Sequence, residues 1–442
     1  MVRDLTFWHE ASTVISPFIL GATVFLGILI LLLHRRSAII PLIIAALFIP
    51  MQQRIVILSL DFTVLRILLL FGWIRIILRS EHHSIKYNRV DKVMIWWTVI
   101  TVITFTLLMQ TTDAFKNRLG LAYDAIGMYF LFRFLIRNLD DIKWVIKALA
   151  ILSVPLAAAM LIEHSTGHNA FAIFGGVPET TLVREERLRC QGAFAHPITA
   201  GTFGATLMPL VASLWWLGGR SKRLAVVGTV TATLITLTSA SSGPVAAYLA
   251  AVVGLFMWEG RKHMRAILWG TLILLVSLHV VMEVVMQEPV WALIYRFKFF
   301  AGQTGWHRYL LIDQTINNFG EWWLLGTKTT AYWGWGLQDI TNHFIVEGVR
   351  GGILKLGMFI AIIVLCFKGV GTALRGMANE KGSGRLIWAL GVSLFTHVVA
   401  FFDVFYFDQM ILFWYLLLAM VSSATNLSVK ARLAPALDKM TP

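Results

Sequence analysis

The chain has 442 residues, of which 57% are hydrophobic and 14% are charged, and its mean hydropathy is +0.73. Soluble domains carry about 25% charged residues, so this composition excludes a soluble enzyme, a disulfide-rich secreted module and a disordered chain. Lys and Arg number 38 against 24 Asp and Glu, which gives a net charge of +14. These basic residues are spread over the connections between apolar segments rather than gathered in one patch, which argues against a nucleic-acid partner.

Apolar segments recur along the whole chain, and most approach the roughly 20 residues that a helix needs to cross a bilayer. They predict twelve to thirteen spans, at 13–33, 38–50, 55–78, 93–112, 118–136, 144–163, 196–217, 224–240, 243–258, 266–287, 341–367, 387–403 and 405–425. The second is short enough to be re-entrant. The predicted fold class is therefore all-α, a polytopic integral membrane protein with one domain over residues 1–442.

Clusters of Lys and Arg fall on alternate connections between these spans. Such clusters are retained in the cytoplasm, so the alternation predicts a cytoplasmic C-terminus and puts two longer segments on the opposite, outer face. One runs from about Glu163 to Ala195, and the other from about Gln287 to Gln338. Connections this long are more often functional than idle. We therefore expect the functional site on the outer face, with residues 288–338 as a large outer loop.

Within this loop, residues 307–319 predict an amphipathic helix. Its apolar face is expected to dip into lipid, while its polar face stays in water. The apolar face consists of Leu311, Ile312, Ile316 and Phe319. The loop is also rich in tryptophan, which favours the interface between membrane and water.

Charged residues inside apolar spans are costly, so each is a functional candidate. Asp61 and Arg66 fall in the third predicted span, and Asp124 and Arg133 fall in the fifth. In a structural interpretation, Arg133 reaches towards the cytoplasm while the two aspartates make polar contacts between helices. In a functional interpretation, these residues serve an ion- or proton-coupled transporter. Transporters tend to have broken helices in two matching halves, and we find no matching halves in this sequence.

Four clusters of polar and small residues fall on the predicted outer face. They are the segment from Arg184 through Arg187 and Arg189 to Pro197, the turn at 239–244, the segment 302–308, and the segment 337–352. Arginines beside glycines suit a phosphate. Two alternatives stay open, because Glu185 and Glu186 allow an ion-paired loop and the small residues at 239–244 allow a plain tight hairpin.

The last of these clusters has the spacing of an acid–base site. His343 and Glu347 are four residues apart, so they share one face of a helix, and Arg350 follows about one turn later. An imidazole, a carboxylate and a guanidinium on one face predict both proton transfer and anion binding. Asp339 is either a cap for this helix or a further catalytic candidate. The two cysteines, Cys190 and Cys366, form no metal or redox motif.

In chain order these motifs resemble the bacterial O-antigen ligase and O-antigen polymerase family of membrane glycosyltransferases. The motifs are Gly192-Ala193-Phe194-Ala195-His196-Pro197 after Arg189, then Ser242-Gly243, Gly305-Trp306-His307-Arg308, and Asp339-Ile340-Thr341-Asn342-His343 with Gly348 and Gly351. The resemblance covers residues 120–400. It implies transfer of a glycan from a polyprenyl-diphosphate donor, such as undecaprenyl diphosphate, to a glycan or lipid A core acceptor. It further implies a periplasmic active face in the bacterial inner membrane, and neither a metal nor another cofactor.

The resemblance also implies residue roles, with Arg189 and Arg308 on the diphosphate and His343 as the functional histidine. Arg187 and Arg350, in the same clusters, are further candidates for the diphosphate. Family ligases often have His followed by Asn, whereas here Asn precedes His343. An alignment places either His343 or Asp339 at that position, so both, together with Glu347, stay candidates for the catalytic base.

The departure in this motif and the chain length favour a polymerase of O-antigen or exopolysaccharide repeat units over a ligase. The other partners expected are membrane lipids and further membrane proteins of polysaccharide assembly. A transporter of lipid-linked oligosaccharide is the alternative from a different functional class.

Overall fold

The structure is a computed structural model that describes residues 13–57, 60–296, 304–376 and 382–438. Across these ranges the chain forms seventeen α-helices and two short antiparallel hairpins. Seven helical segments are long and apolar enough to cross a membrane: Arg89–Met109, Leu139–Thr166, Pro197–Leu217, Arg261–Met286, Gly352–Gly376, Ser383–Phe401 and Gln409–Leu427. The predicted fold, an all-α polytopic membrane protein, is therefore confirmed.

The elements follow one another in a simple order. The helices are α1 (Pro17–Leu32), α2 (Ile40–Phe48), α3 (Val64–Leu78), α4 (Arg89–Met109), α5 (Thr112–Leu135), α6 (Leu139–Thr166), α7 (Pro197–Ala212), α8 (Arg220–Thr238), α9 (Ser242–Phe256), α10 (Met264–Met286), α11 (Leu293–Arg296), α12 (Thr304–Asn317), α13 (Phe319–Trp322), α14 (His343–Val349), α15 (Gly352–Gly376), α16 (Ser383–Phe401) and α17 (Gln409–Asp438). The strands are β1 (Arg54–Ile57), β2 (Leu60–Thr63), β3 (Leu182–Arg184) and β4 (Arg187–Arg189).

The long helices alternate in direction, which gives the bundle two ends. Asn88, just before α4, donates to the Ser422 hydroxyl late in α17 at 2.9 Å. Gln409, at the start of α17, instead donates to the Ala193 carbonyl in the α6–α7 connection at 2.8 Å. We call the end that carries the starts of α7, α9 and α17 the loop end. Residues 287–351, where they are described, connect to α15 at this end.

Small residues let the helices of the core approach closely. α7 packs between α8, α9 and α16. A Cβ at Gly201 would overlap the Ser239 hydroxyl, and one at Gly204 would lie 2.7 Å from the Ala232 carbonyl oxygen. Close approach of backbones through small residues is a main source of helix association in membranes. The predicted span 196–217 is therefore held firmly at the centre of the bundle.

Three predicted spans differ from the structure in detail. The segment 55–78 begins with the β1–β2 hairpin, so Asp61 lies on a strand and pairs with Arg54 at 3.2 Å. The segment 341–367 is broken into α14 and α15 at Gly352, whose φ is +75°. The segment 38–50 forms α2, whose nine residues extend only about 14 Å. This is about half of the roughly 30 Å that the hydrocarbon core of a bilayer requires. Hydropathy registers apolar character but not where the backbone turns, which explains these differences.

Two arginines inside the helices, Arg66 and Arg133, are paired with carboxylates on neighbouring helices. Arg66 on α3 binds Asp124 on α5, with a closest distance of 2.6 Å. Arg133 is buried and binds Asp91 on α4 at 3.0 Å, and Tyr129 donates to the same carboxylate. The predicted interhelical contact of Asp124 is confirmed. Arg133 also donates to the Lys86 carbonyl at 3.4 Å, in the connection before α4, so its side chain extends to the end of the bundle opposite the loop end. That this end is cytoplasmic stays a prediction.

The large loop forms a small core of its own. The predicted amphipathic helix at 307–319 is confirmed as α12 together with the start of α13. Leu311, however, is 1% exposed and belongs to a hydrophobic cluster with Trp322, Trp333 and Leu337. The expectation that Leu311 enters lipid is therefore wrong, since the tryptophans of the loop cover it. Phe319 remains exposed on the outside of the loop.

Candidate anion-binding site

The first element of the site is the β3–β4 hairpin. Its register pairs Leu182 with Arg189 and Arg184 with Arg187, so the three arginines share one face of the hairpin. Glu185 and Glu186 form the turn, and both have positive φ. Neither makes an ion pair with any residue that the structure describes. The alternative of an ion-paired loop is thus absent from the structure, and the arginine charges stay uncompensated by the turn.

Arg189 points from this hairpin towards the turn at 239–244, the second of the four predicted clusters. Its guanidinium donates to the Ser241 hydroxyl at 2.7 Å, while its buried Nε has no partner among the described residues. Burial, together with the nearby charge of Arg184, lowers the pKa of Arg189. An unpartnered buried donor beside a second cation is a feature that an anion satisfies.

The loop after Arg189 is held rigidly by two helices. The Glu163 carboxylate at the end of α6 accepts hydrogen bonds from the backbone of Gln191 at 3.1 Å and of Gly192 at 2.9 Å. The side chain of Gln409 holds the Ala193 carbonyl from the other side. The Gly-Ala-Phe segment at 192–194 therefore positions Arg189 rather than offering a flexible loop.

The turn before α9 has a specific neighbour, which is Asp403. A Cβ at Gly243 would overlap the Asp403 carboxylate, so only glycine admits this side chain. Asp403 is 7% exposed and sits in the α16–α17 connection, beside the first turn of α9. The small residues of the turn thus make room for a carboxylate as well as for a hairpin.

Arg308 on α12 completes the site. Its guanidinium forms an ion pair with Asp403. Burial, together with the charge of Arg184, lowers the pKa of Arg308 to about 10, so it stays cationic at neutral pH. We call Arg184, Arg189, Arg308 and Asp403 the arginine cluster. Three guanidinium charges against one carboxylate leave a surplus of two positive charges. Arg308 belongs to the predicted cluster 302–308, of which positions 302 and 303 lie outside the described residues.

Sequence reasoning missed Asp403, although a signal was present. This lone carboxylate ends the apolar segment 387–403, where a charge is costly. Its partner Arg308 is 95 residues away in sequence, so no local spacing connects the two. Arg184, which acts on both other arginines, was named only as part of a cluster.

His343 lies in an aromatic setting rather than among the arginines. Its Nδ1 accepts a hydrogen bond from the Tyr406 backbone N–H at 3.0 Å, and its ring stacks on Phe401 with centroids 4.6 Å apart. Burial lowers the pKa of His343 to about 4. The imidazole is therefore neutral at pH 7, and with Nδ1 accepting, its proton is on Nε2. His343 is arranged as a hydrogen-bond donor.

The two carboxylates predicted beside His343 have different surroundings. Glu347 is buried, accepts from Trp97 at 2.8 Å and pairs with Lys355 at 3.2 Å. Asp339 is exposed, and its side chain has no hydrogen bond or ion pair with the described residues. The interpretation of Asp339 as a helix cap is wrong, because Asn342 caps α14 by accepting from Ile345.

The remaining predicted residues, Arg187 and Arg350, lie apart from the buried part of the cluster. Arg187 shares the hairpin face but is exposed. Arg350 is half-buried, and its guanidinium lies 5.9 Å from the centroid of the Phe405 ring. The structure thus joins Arg189, the turn before α9 and Arg308, and it leaves Glu347 and Arg350 in a neighbouring group.

This arrangement suits an anion rather than a metal cation, because guanidinium groups outnumber the carboxylate. Across the described ranges, no group of three or more His, Cys, Asp and Glu side chains is placed to hold a metal ion. No model of a known protein family matches the chain, and no curated protein matches it either.

Proposed function

We propose that the protein is a membrane glycosyltransferase that moves a glycan from a polyprenyl-diphosphate donor to an acceptor hydroxyl. The observation that carries this proposal is the convergence of three distant segments on one site. Arg189 of the hairpin at 182–189 binds Ser241 in the turn at 239–243, and this turn and Arg308 both contact Asp403, with two positive charges in surplus. The surplus positive charge of this site suits a diphosphate. Its place at the end of a membrane bundle suits a diphosphate whose apolar tail lies in the bilayer.

The chemistry needs a stabilised leaving group. The bond between the sugar anomeric carbon and the diphosphate oxygen breaks, and the acceptor oxygen bonds to the same carbon. Negative charge then grows on the departing diphosphate. Arg189 and Arg308 are partly buried and held in place, so they stabilise this charge without reorganisation. Removing one such donor typically costs about 10²–10³-fold in rate.

The acceptor hydroxyl must also lose its proton. Asp403 is the carboxylate that pairs with Arg308, and its oxygens make no hydrogen bond beyond this ion pair in the described structure. A diphosphate on Arg308 competes with Asp403 and frees this carboxylate to accept the proton. His343, neutral and with its proton on Nε2, orients the acceptor by donating a hydrogen bond. In this proposal the base is Asp403 rather than His343, and His343 orients the acceptor hydroxyl.

The sidedness of the proposal rests on charge. The clusters of Lys and Arg that favour the cytoplasm lie at the end opposite the arginine cluster. We therefore put the arginine cluster on the periplasmic face of a bacterial inner membrane, with a cytoplasmic C-terminus. A polymerase remains our first choice and a ligase our second. A transporter would use the intramembrane charges, but Arg66 and Arg133 already have carboxylate partners.

The test uses purified protein in detergent with a synthetic polyprenyl-diphosphate oligosaccharide, with and without lipid A core. Gel and mass analysis of the products identify the acceptor. A ladder of longer glycans on the same lipid is the polymerase result, and transfer to lipid A core alone is the ligase result. Donor that binds but is never turned over with either acceptor contradicts the proposal and favours transport.

A carboxylate variant tests the proposed base in the same assay. We expect Asp403→Asn to lower turnover by about 10²–10⁴-fold, the usual effect of losing a general base. Asp140→Asn is the matched control, because Asp140 is 78% exposed in its side chain and lies at the opposite end of the bundle. Equal turnover in the two variants would remove Asp403 from the mechanism.

A further inference from the structure

A second group of cations lies beside the arginine cluster, on helices α5 and α15 and just after α14. Its first member is Arg118 on α5, which is 5% exposed. The guanidinium carbon lies 3.5 Å from the centroid of the Phe105 ring, and the buried Nε has no hydrogen-bond partner. Arg118 forms no hydrogen bond or ion pair with any residue within the described ranges. A buried guanidinium in this state is costly unless an anion joins it.

Arg350 is the second member of this group. Its positive charge acts directly on Arg118, so the two guanidinium groups repel each other. Arg350 contacts the face of the Phe405 ring, and in the described structure its guanidinium has no carboxylate partner within ion-pair distance. Two like charges therefore repel each other, and each lies over a different aromatic ring.

The nearby carboxylate of Glu347 acts on both guanidinium groups but compensates this pair only in part. Glu347 is 4% exposed and already binds Lys355, which is 3% exposed, at 3.2 Å. Three cationic groups against Glu347 leave a surplus of two positive charges at Arg118 and Arg350. A phosphate monoester carries about −1.5 to −2 charges near neutral pH. The charge surplus and the unpartnered donors therefore match one phosphate group.

The position of this pair connects it with the arginine cluster. Phe405, under Arg350, is two residues from Asp403 on the α16–α17 connection. The ring of His343 packs against Tyr406 from the same connection, and it also feels the charges of Glu347 and Arg350. Two cationic groups thus lie on either side of a short connection that carries the proposed base and touches the proposed orienting histidine.

We propose that Arg118 and Arg350 form a second anion site, which binds the phosphate of a lipid-linked acceptor. The assignment to the acceptor rests on the proposed glycosyl transfer, whereas the site itself rests on the two unpartnered guanidinium groups. The donor loses its diphosphate at the arginine cluster. The acceptor keeps its own phosphate on Arg118 and Arg350 while its hydroxyl oxygen bonds to the anomeric carbon and its proton passes to Asp403. The site therefore binds without taking part in bond breaking.

Two lipids offer this chemistry, a polyprenyl diphosphate and a phosphorylated lipid A core. Native mass spectrometry of the purified protein with farnesyl diphosphate counts the sites directly. We expect two bound molecules for the wild type, one for Arg308→Ala and one for the double variant Arg118→Gln, Arg350→Gln. The control Arg220→Gln, exposed at the opposite end of the bundle, should retain two. A single molecule bound to the wild type, or two bound to the double variant, overturns the proposal.

Competition then identifies the source of the phosphate. Displacement of one of the two farnesyl diphosphates by phosphorylated lipid A core, in the wild type but not in the double variant, assigns the site to a ligase acceptor. Retention of both in the presence of lipid A core assigns it to a second polyprenyl diphosphate. Both results uphold a phosphate site at Arg118 and Arg350.

Thermal unfolding guards against a variant that fails to fold. Because Arg118→Gln removes a buried, unpaired charge, we expect it to unfold at a higher temperature than the wild type in phosphate-free buffer. Inorganic pyrophosphate should raise the unfolding temperature of the wild type more than that of this variant. Equal shifts in both overturn the proposal. A count of two sites with no glycan transfer would instead reject the proposed function and keep the second site.

Discussion

The charges inside the helical bundle and those at its loop end differ in how they are compensated. Arg66 and Arg133 each have a carboxylate partner on a neighbouring helix, at 2.6 Å and 3.0 Å. Among the described residues, Arg189 donates to a serine hydroxyl and has no carboxylate partner, and Arg308 pairs with Asp403, the one carboxylate of a cluster with three arginines. Completed pairs hold helices together, whereas surplus charge is available to a ligand. The contrast separates structural arginines from binding arginines on one chain.

The largest effect on folding is expected where a completed pair is broken. Arg133→Met leaves the buried Asp91 without its cation, which typically costs about 3–5 kcal/mol. Denaturant or thermal unfolding in detergent measures the loss. Turnover per folded molecule should stay close to that of the wild type. A stable variant with lost turnover would place Arg133 in the mechanism and would erase the contrast.

The opposite result is expected at the arginine cluster. Arg308→Ala should lower turnover by about 10²–10³-fold, because a preorganised donor for the leaving diphosphate is lost. The unfolding temperature should fall less than in Arg133→Met, because the side chains of Arg308 and Asp403 are 20% and 9% exposed, against 2% and 0% for Arg133 and Asp91. The assay of glycan transfer measures the rate, and unchanged turnover in folded Arg308→Ala would reject the assigned role.

A glycine variant probes the position of Asp403 without removing any charge. Gly243→Ala adds a Cβ that overlaps the Asp403 carboxylate, so the carboxylate must move. We expect turnover to fall by about tenfold or more, since small misplacements of reacting groups are costly. Gly357→Ala is the matched control, because no atom lies within 4 Å of a Cβ at that position. Similar turnover in both variants would show that the fit of Asp403 is unimportant.

A smaller effect concerns pH and His343. The pKa of His343 is about 4 in the fold, against about 6.5 in an unfolded chain. Between these values the unfolded chain binds a proton that the folded chain does not, so stability falls as pH drops from 6.5 towards 4. His343→Gln should remove part of this acid sensitivity. Unfolding temperatures at pH 5 and pH 7.5 test it, and an unaltered difference between them would contradict the buried, neutral imidazole.

The smallest effect is expected in the hairpin turn. Glu185 and Glu186 make no ion pair with the described residues, so replacing both with Gln should leave turnover within about twofold of the wild type. A large gain or loss would mean that these carboxylates compensate the arginines after all. This variant also serves as a control for Arg187→Ala, which removes an exposed charge from the same hairpin.

Hydropathy and charge predicted most of the fold because both act locally along the chain. Most apolar segments appear as helices, although 55–78 begins with a β-hairpin, and α12 lies where the amphipathic pattern put it. The ion pairs could not be predicted from the sequence, since Arg308 meets Asp403 and Arg133 meets Asp91 only after distant helices pack. Leu311 was assigned to lipid because a pattern identifies an apolar face, but not what covers it. The aromatic setting of His343 likewise comes from Phe401 and Tyr406, far away in sequence.

The central claim is that the surplus charges of the arginine cluster bind the donor diphosphate. The most direct test is the dissociation constant of a non-reactive polyprenyl-diphosphonate analogue, measured for the wild type, Arg189→Ala, Arg308→Ala and Arg66→Met. We predict weakening by at least about tenfold in the two cluster variants, the effect of one lost charged hydrogen bond. Folded Arg66→Met should bind as the wild type does. The reverse pattern, with binding lost only in Arg66→Met, would contradict the account and favour transport through the bundle.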